Sequence, residues 1–160
     1  MPKCEILIGG ICSGKTTYRN KKYLSLDDES WVYVSRDAIR LSINGLRDLF
    51  NPCNERLVTK IFWKEFNSYT RQELNIIVDN TNVNPKYIKE IINKLPEGYT
   101  WELKWFYVPL WKAYYRNVIR YFKDGIYIPI RVIRKFHKQY KKLEEDYNSG
   151  EFFIYLTSIT

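Results

Sequence analysis

The stretch Gly9, Gly10, Ile11, Cys12, Ser13, Gly14, Lys15, Thr16 constrains this chain more than any other, because of what flanks it. It follows a short apolar run at residues 4–8 and precedes residues 15–23, which read as a helix. Gly9, four residues, Gly14, Lys15 and Thr16 satisfy the Walker A pattern in the strand, loop, helix context that its mechanism requires. The glycines let successive backbone N–H groups turn inward around phosphate oxygens, and the helix start adds its partial positive charge. Lys15 then reaches the β- and γ-phosphates, and Thr16 offers a hydroxyl to Mg2+. A chance match in an ordinary turn is the competing reading, and the flanking strand and helix count against it.

The rest of the chain alternates in the same way. Residues 31–34 read as a second strand and 37–43 as a short helix ending near Asn44 and Gly45. In residues 54–73 the apolar positions Leu57, Ile61, Phe62 and Phe66 recur at helical spacing, and residues 74–78 form a third apolar strand. Asn80 to Pro85 carries turn formers, and Pro85 opens a helix. A strand at 101–108 and a helix from Pro109 to about Lys123 follow. A long basic helix then runs from Pro129 to about Tyr147, with Ile130, Ile133, Phe136, Tyr140 and Leu143 on one face. Residues 152–156 read as a closing strand. Alternation of this kind predicts an α/β fold, a parallel sheet of four to five strands flanked by helices, with ligands at the carboxyl ends of the strands. At 160 residues the chain is expected to be one domain, 1–160.

A net charge of +8 favours polyanionic partners, although a solvated lysine-rich surface accounts for it equally well. The three cysteines, Cys4, Cys12 and Cys53, lack the spacing of a disulfide framework or a zinc site, which fits a reducing compartment. The N-terminus resembles neither a signal peptide nor a membrane span, so a cytoplasmic protein with no membrane partner is expected. The many aromatic residues suit either an aromatic core or a homo-oligomeric interface.

Three further constellations carry chemistry. Ile76, Ile77, Val78 ending in Asp79 resembles a Walker B strand whose carboxylate helps to hold Mg2+; Asp as a turn residue is the alternative. Asp37 and Arg40 follow the second strand, where a carboxylate can accept the proton of an attacking hydroxyl and a guanidinium can hold an acceptor phosphate. From spacing alone the simpler reading is that Asp37 caps the helix and Arg40 is solvated. Arg116 and Arg120, at i and i+4, either face a nucleotide from a helix closing over it or belong to a basic surface. His137 has no identifiable catalytic partner and reads as a surface or partly packed side chain.

Taken together, the loop GGICSGKTT, which ends on Thr17, and the stretches VSRDAIR, VDNTNVNP, VPLWKAYYRNVIR and IPIRVIRKFHKQY resemble the 5′-hydroxyl polynucleotide kinase domain of bacteriophage polynucleotide kinase and its P-loop relatives. The resemblance spans nearly the whole chain. It implies a P-loop kinase fold with a helical lid, and ATP or another nucleoside triphosphate with Mg2+ as cofactors. Lys15, Thr16 and Thr17 would serve the triphosphate, Asp37 would be the general base, Arg40 would contact an acceptor phosphate, and Arg120, with Arg116 assisting, would be the lid arginine. Asn80, Thr81 and Asn82 fall where the phage kinase has an acceptor-site Asp, Thr and Asn, so an amide stands here in place of a carboxylate. Arg131, Arg134, Lys135, Lys138, Lys141 and Lys142 make the C-terminal helix a candidate nucleic-acid track, its aromatics packing inward.

Three functions fit these residues. The first is a kinase acting on the 5′-hydroxyl ends of DNA or RNA, as in nucleic acid repair, with no 3′-phosphatase domain. The second is a P-loop kinase with another hydroxyl acceptor, such as a hydroxymethylated base, a nucleoside or a small metabolite. The third is a non-catalytic nucleotide-binding regulator.

Overall fold

A computed structural model of the chain describes residues 1–25, 31–45 and 52–157. Four strands, β1 (Lys3–Gly9), β2 (Trp31–Val34), β3 (Asn75–Val78) and β4 (Thr100–Phe106), form one sheet in the order β2-β3-β1-β4. Both β1 and β2 run parallel to β3, with Cys4 opposite Ile76, Ile6 opposite Val78 and Val34 opposite Val78. Because both faces of such a sheet are covered, its inner strands are continuous apolar runs rather than alternating ones; Cys4, Ile6, Leu7, Ile8, Ile76, Ile77 and Val78 are all fully buried. The exception, Glu5, is buried against the Tyr18 hydroxyl at 3.0 Å and the Lys22 ammonium at 2.5 Å, which meets the cost of an unpaired interior charge.

The helices are α1 (Lys15–Ser25), α2 (Arg36–Asn44), α3 (Glu55–Arg71), α4 (Pro85–Asn93), α5 (Leu110–Asp124), α6 (Ile130–Ser149) and α7 (Glu151–Thr157). Their ends follow local chemistry. Asn84 caps α4 by accepting from Lys86 N at 3.0 Å, with Pro85 in the first turn. Gly125 and Gly150 end α5 and α6 in the left-handed conformation, at φ 69° and 84°. Along α3 the buried stripe is Val58, Phe62, Phe66 and Thr70, so Leu57, expected on that stripe, is exposed one position off it. On α6, Ile133, Tyr140 and Leu143 are buried as expected, whereas Ile130 is exposed at the first turn.

The closing strand expected at residues 152–156 is a helix, α7. A five-residue apolar run does not distinguish the two by periodicity. The local chemistry decides: Gly150 ends α6, Glu151 opens the next first turn, and Thr157 Oγ1 donates back to Phe153 O at 3.0 Å. Only Phe152 of the run is fully buried, and Lys89 Nζ, itself buried, donates to Tyr155 O at 3.0 Å. Among the described residues the sheet therefore has four strands.

The chain divides into two compact units. The first comprises Met1–Leu7, Gly14–Asn80 and Pro96–Lys104, and its core is set by the apolar strands with Val58, Phe62 and Phe66 of α3. The second comprises Ile8–Ser13, Thr81–Leu95 and Trp105–Thr160. In it Val108, Ala113, Ile128 and Ile133 form a cluster against which Ile11 and Cys12 pack. Asn117, fully buried on α5, ties the α5–α6 connection by donating to Ile128 O at 2.9 Å and accepting from Ile128 N at 3.1 Å.

Candidate active site

In the first unit the carboxyl end of β3 delivers Asp79, whose N–H donates to Val34 O at 3.0 Å. The side chain is buried, and one oxygen, Oδ2, gathers two partners: the Thr16 hydroxyl at 3.2 Å and an Arg19 nitrogen at 3.0 Å. Arg19 is held in turn over the Tyr33 ring at 4.2 Å. Burial raises the Asp79 pKa, opposed by the charges of Arg19 and Lys15 and by the Thr16 hydrogen bond, and reinforced by the negative charge of Asp37. Thr16 and Arg19 thus touch the Asp79 carboxylate directly, and the charges of Lys15 and Asp37 reach it. Gly14, at φ 104°, gives the backbone just before Lys15 a conformation closed to other residues.

Ser35 caps α2 by accepting from Ala38 N at 3.4 Å, so Asp37 is not the cap. Its side chain is 66% exposed, in the first turn of α2, and takes an Arg40 nitrogen at 2.7 Å. Arg40 is not solvated either: its Nε and a second nitrogen bind both oxygens of Glu55 at 2.7 and 2.9 Å. The Arg40 guanidinium holds the Glu55 carboxyl below its ordinary value. Asn80, next to Asp79, accepts from Arg36 N at 2.9 Å and so fixes the start of α2 against the end of β3.

The second unit holds the other part of the loop. Gly9 N donates to Thr81 O at 3.1 Å. A Cβ on Gly9 would stand 2.8 Å from Phe106 O and 2.6 Å from Ser13 Oγ, so only glycine fits there; Gly10 has no neighbour within 4 Å of such an atom. Cys12 takes a left-handed conformation, φ 60°, and its carbonyl accepts from an Arg116 nitrogen at 2.9 Å. Arg120 lies one turn further along α5, half-buried. Asn82, at φ 46°, is buried, while Thr81 is half-buried. His137 is half-buried with its ring 6.4 Å from that of Tyr107. On α6 Arg131, Arg134, Lys135, Lys138 and Lys142 are exposed, while Tyr140 packs inward.

The donor set suits Mg2+. A hydroxyl and a buried carboxylate stand together, and the burial that raises the pKa of that carboxylate favours a cation beside it. Among the described residues no group of three or more His, Cys, Asp or Glu side chains could hold a metal. An ion on Thr16 and Asp79 would complete its shell with water and phosphate oxygens, the usual arrangement for Mg2+. No helix among the described residues is long and apolar enough to cross a membrane.

Two residues of this cluster escape sequence reasoning. Arg19 is one helical turn after Lys15, a spacing that places the two on one face. Glu55 carries no such signal, because its partner Arg40 lies on a different helix.

Comparison with known proteins supports the same reading of the fold. A family model described as an AAA domain matches residues 5–143. No curated sequence matches significantly. Among solved structures, a chain of the Pnkp1/Rnl/Hen1 RNA repair complex superposes with a TM-score of 0.78 at 28% identity, over 91% of this chain and 46% of its own. This chain therefore spans less than half the length of that one. A chain from the PezAT chromosomal toxin-antitoxin system of Streptococcus pneumoniae gives a TM-score of 0.66 at 18% identity, covering 91% of this chain and 64% of that one. Shikimate kinase from Acinetobacter baumannii gives 0.51 at 15%, covering 89% and 80%. The last two are likenesses of fold alone. The four-stranded parallel sheet with flanking helices is a P-loop kinase fold, and a nucleotide-binding loop comes with it.

Proposed function

The chain belongs to the AAA domain family, and from that premise we propose that it is a kinase transferring the γ-phosphate of ATP, or of another nucleoside triphosphate, to the 5′-hydroxyl ends of DNA or RNA. The observation that carries this reading is the position of Asp37: unneeded as a helix cap, exposed, and within electrostatic reach of the carboxylate that binds Thr16. A switch or sensor needs the phosphate loop and a metal carboxylate, but a kinase also needs a base for the acceptor hydroxyl. The likeness to a chain of an RNA repair complex supports a polynucleotide acceptor over other alcohols.

In this reading the loop from Gly9 to Thr17 holds the triphosphate and Lys15 neutralises its β- and γ-oxygens. Thr16 and Asp79 would hold Mg2+, whose chemistry there would be further charge neutralisation. Asp37 takes the proton of the 5′-hydroxyl as that oxygen attacks the γ-phosphorus in line, and Arg40 keeps Asp37 oriented. Arg116 and Arg120 belong to the nucleotide side, and Asn80, Thr81 and Asn82 to the acceptor side. A second reading, a small or uncharged hydroxyl acceptor, draws on the Arg40–Glu55 pair, which already engages the guanidinium expected to grip an acceptor phosphate.

Transfer of labelled γ-phosphate from ATP to 5′-hydroxyl DNA and RNA oligonucleotides tests the proposal beside Lys15→Ala and Asp37→Asn. End-labelling that both substitutions abolish is the expected result. Transfer that survives Asp37→Asn would remove the base, and absence of transfer by a protein that binds ATP would remove the polynucleotide acceptor.

A further inference from the structure

An amphipathic helix in a folded unit needs one apolar face; α5 carries two. Its inner face contributes Ala113 and Asn117 to the interior. On the opposite face Trp111, Tyr115, Val118 and Phe122 recur at i, i+4, i+7 and i+11, with Ile119 beside them, and all five are exposed. Trp111 is 69%, Tyr115 63% and Phe122 81% exposed, and together they form a contiguous apolar stripe on one helix face. Trp111 and Phe122 stand about 16 Å apart along the helix axis, the length of roughly four or five bases at 3.4 Å each.

The charge beside the stripe indicates its occupant. At 100° per residue Lys112, Arg116, Arg120 and Lys123 fall along one flank, against Asp124 as the helix's sole acid. Lys112 and Lys123 are exposed. A second copy of the chain, packed antiparallel by a two-fold axis, would bring the two basic flanks together, which costs affinity. One molecule that offers flat apolar faces and regularly spaced negative charge meets both features.

We propose that the outer face of α5 is a stacking platform for single-stranded nucleic acid, with bases on Trp111, Tyr115 and Phe122 and phosphates on Lys112 and Lys123. The proposal deepens the polynucleotide reading and rests on it for the source of the strand. Stacking of this kind tolerates any base, since every base has a π-face. It confers a preference for longer strands rather than for a sequence.

The experiment measures binding of a fluorescein-labelled single strand of about a dozen nucleotides, as DNA and as RNA, by anisotropy over a salt series. Trp111→Ala/Tyr115→Ala/Phe122→Ala should weaken binding about tenfold or more, with Trp111→Ala alone showing part of the loss. Melting temperature and ATP binding should stay at wild-type values. Lys112→Ala/Lys123→Ala should reduce the slope of log affinity against log salt by about 1.4, at 0.7 per phosphate contact. Unchanged strand binding in the triple variant overturns the platform. So does a wild-type dimer that the triple variant converts to monomer without loss of strand binding, which would make the face a protein contact. If the wild type phosphorylates no 5′-hydroxyl yet strand binding falls as described, the platform stands and the kinase reading fails; end-phosphorylation with unchanged binding gives the converse.

Discussion

Glu55 holds Arg40 by two of its nitrogens, at 2.7 and 2.9 Å, and leaves the third to Asp37 at 2.7 Å. The acidic residue at the start of α3 therefore governs the orientation of the carboxylate proposed as the base. Glu55→Gln should lower kcat for the proposed transfer about tenfold, as expected for loosened positioning of a general base. The loss of stability should stay below about 1 kcal/mol, because the Glu55 side chain is 40% exposed. Arg40 depresses the Glu55 pKa, so its stabilisation is complete above the usual 4.5 and is lost as pH falls through the depressed value. Urea titrations of both proteins should show a gap at neutral pH that closes in strong acid.

Gly9 and Gly10 should respond differently to the same change. Gly9→Ala places a methyl group against Phe106 O and Ser13 Oγ, so the backbone must shift, and ATP affinity should fall about a hundredfold by calorimetry. Gly10→Ala meets open space and should leave the melting temperature within about 1 °C of wild type.

Asp79→Asn should abolish phosphate transfer and yet stabilise the fold at neutral pH. Burial raises the Asp79 pKa, so its ionised form opposes folding. A raised value means the favourable contribution is present below the usual 3.8 and is lost as pH rises through the folded value. The difference in melting temperature should therefore narrow as the solution is acidified. A less stable Asp79→Asn protein at neutral pH would show instead that its ion pair with Arg19 outweighs the burial cost.

Asn117→Ala leaves both the N–H and the carbonyl of Ile128 without their partner in the interior of the second unit. The expected cost is about 2–4 kcal/mol by urea denaturation. Asn117→Asp should cost more at neutral pH, since a carboxylate facing Ile128 O has no hydrogen to donate.

The sequence was most legible where one local rule governs the result. The loop, the four strands and the ends of α2, α4, α5 and α6 follow from apolar runs, prolines and glycines that act within a few residues. The run Phe152, Phe153, Ile154, Tyr155, Leu156 failed because strand and helix share that composition, and Gly150 with the Thr157 back-bond decided between them. Within the site the contact of Thr16 with Asp79 followed from the two Walker-like motifs. The partners around Asp37 did not: Glu55 meets Arg40 only once α3 packs beside α2, and Ser35 takes the cap that composition offered to Asp37. Local chemistry is written in spacing, whereas the countercharges around it arise from tertiary packing.

The amide oxygen of Asn80 accepts from Arg36 N, and on its other side the side chain presents an NH2 group. The polarity at this position is therefore that of a donor. A carboxylate anchored by the same backbone hydrogen would present a second oxygen and seek a hydroxyl; an amide seeks an oxygen with lone pairs. If Asn80 stands on the acceptor side as proposed, a group beside that NH2 would meet it as an acceptor, through a phosphate, a ring ether or a base carbonyl, and selectivity at this corner would turn on lone pairs rather than on charge.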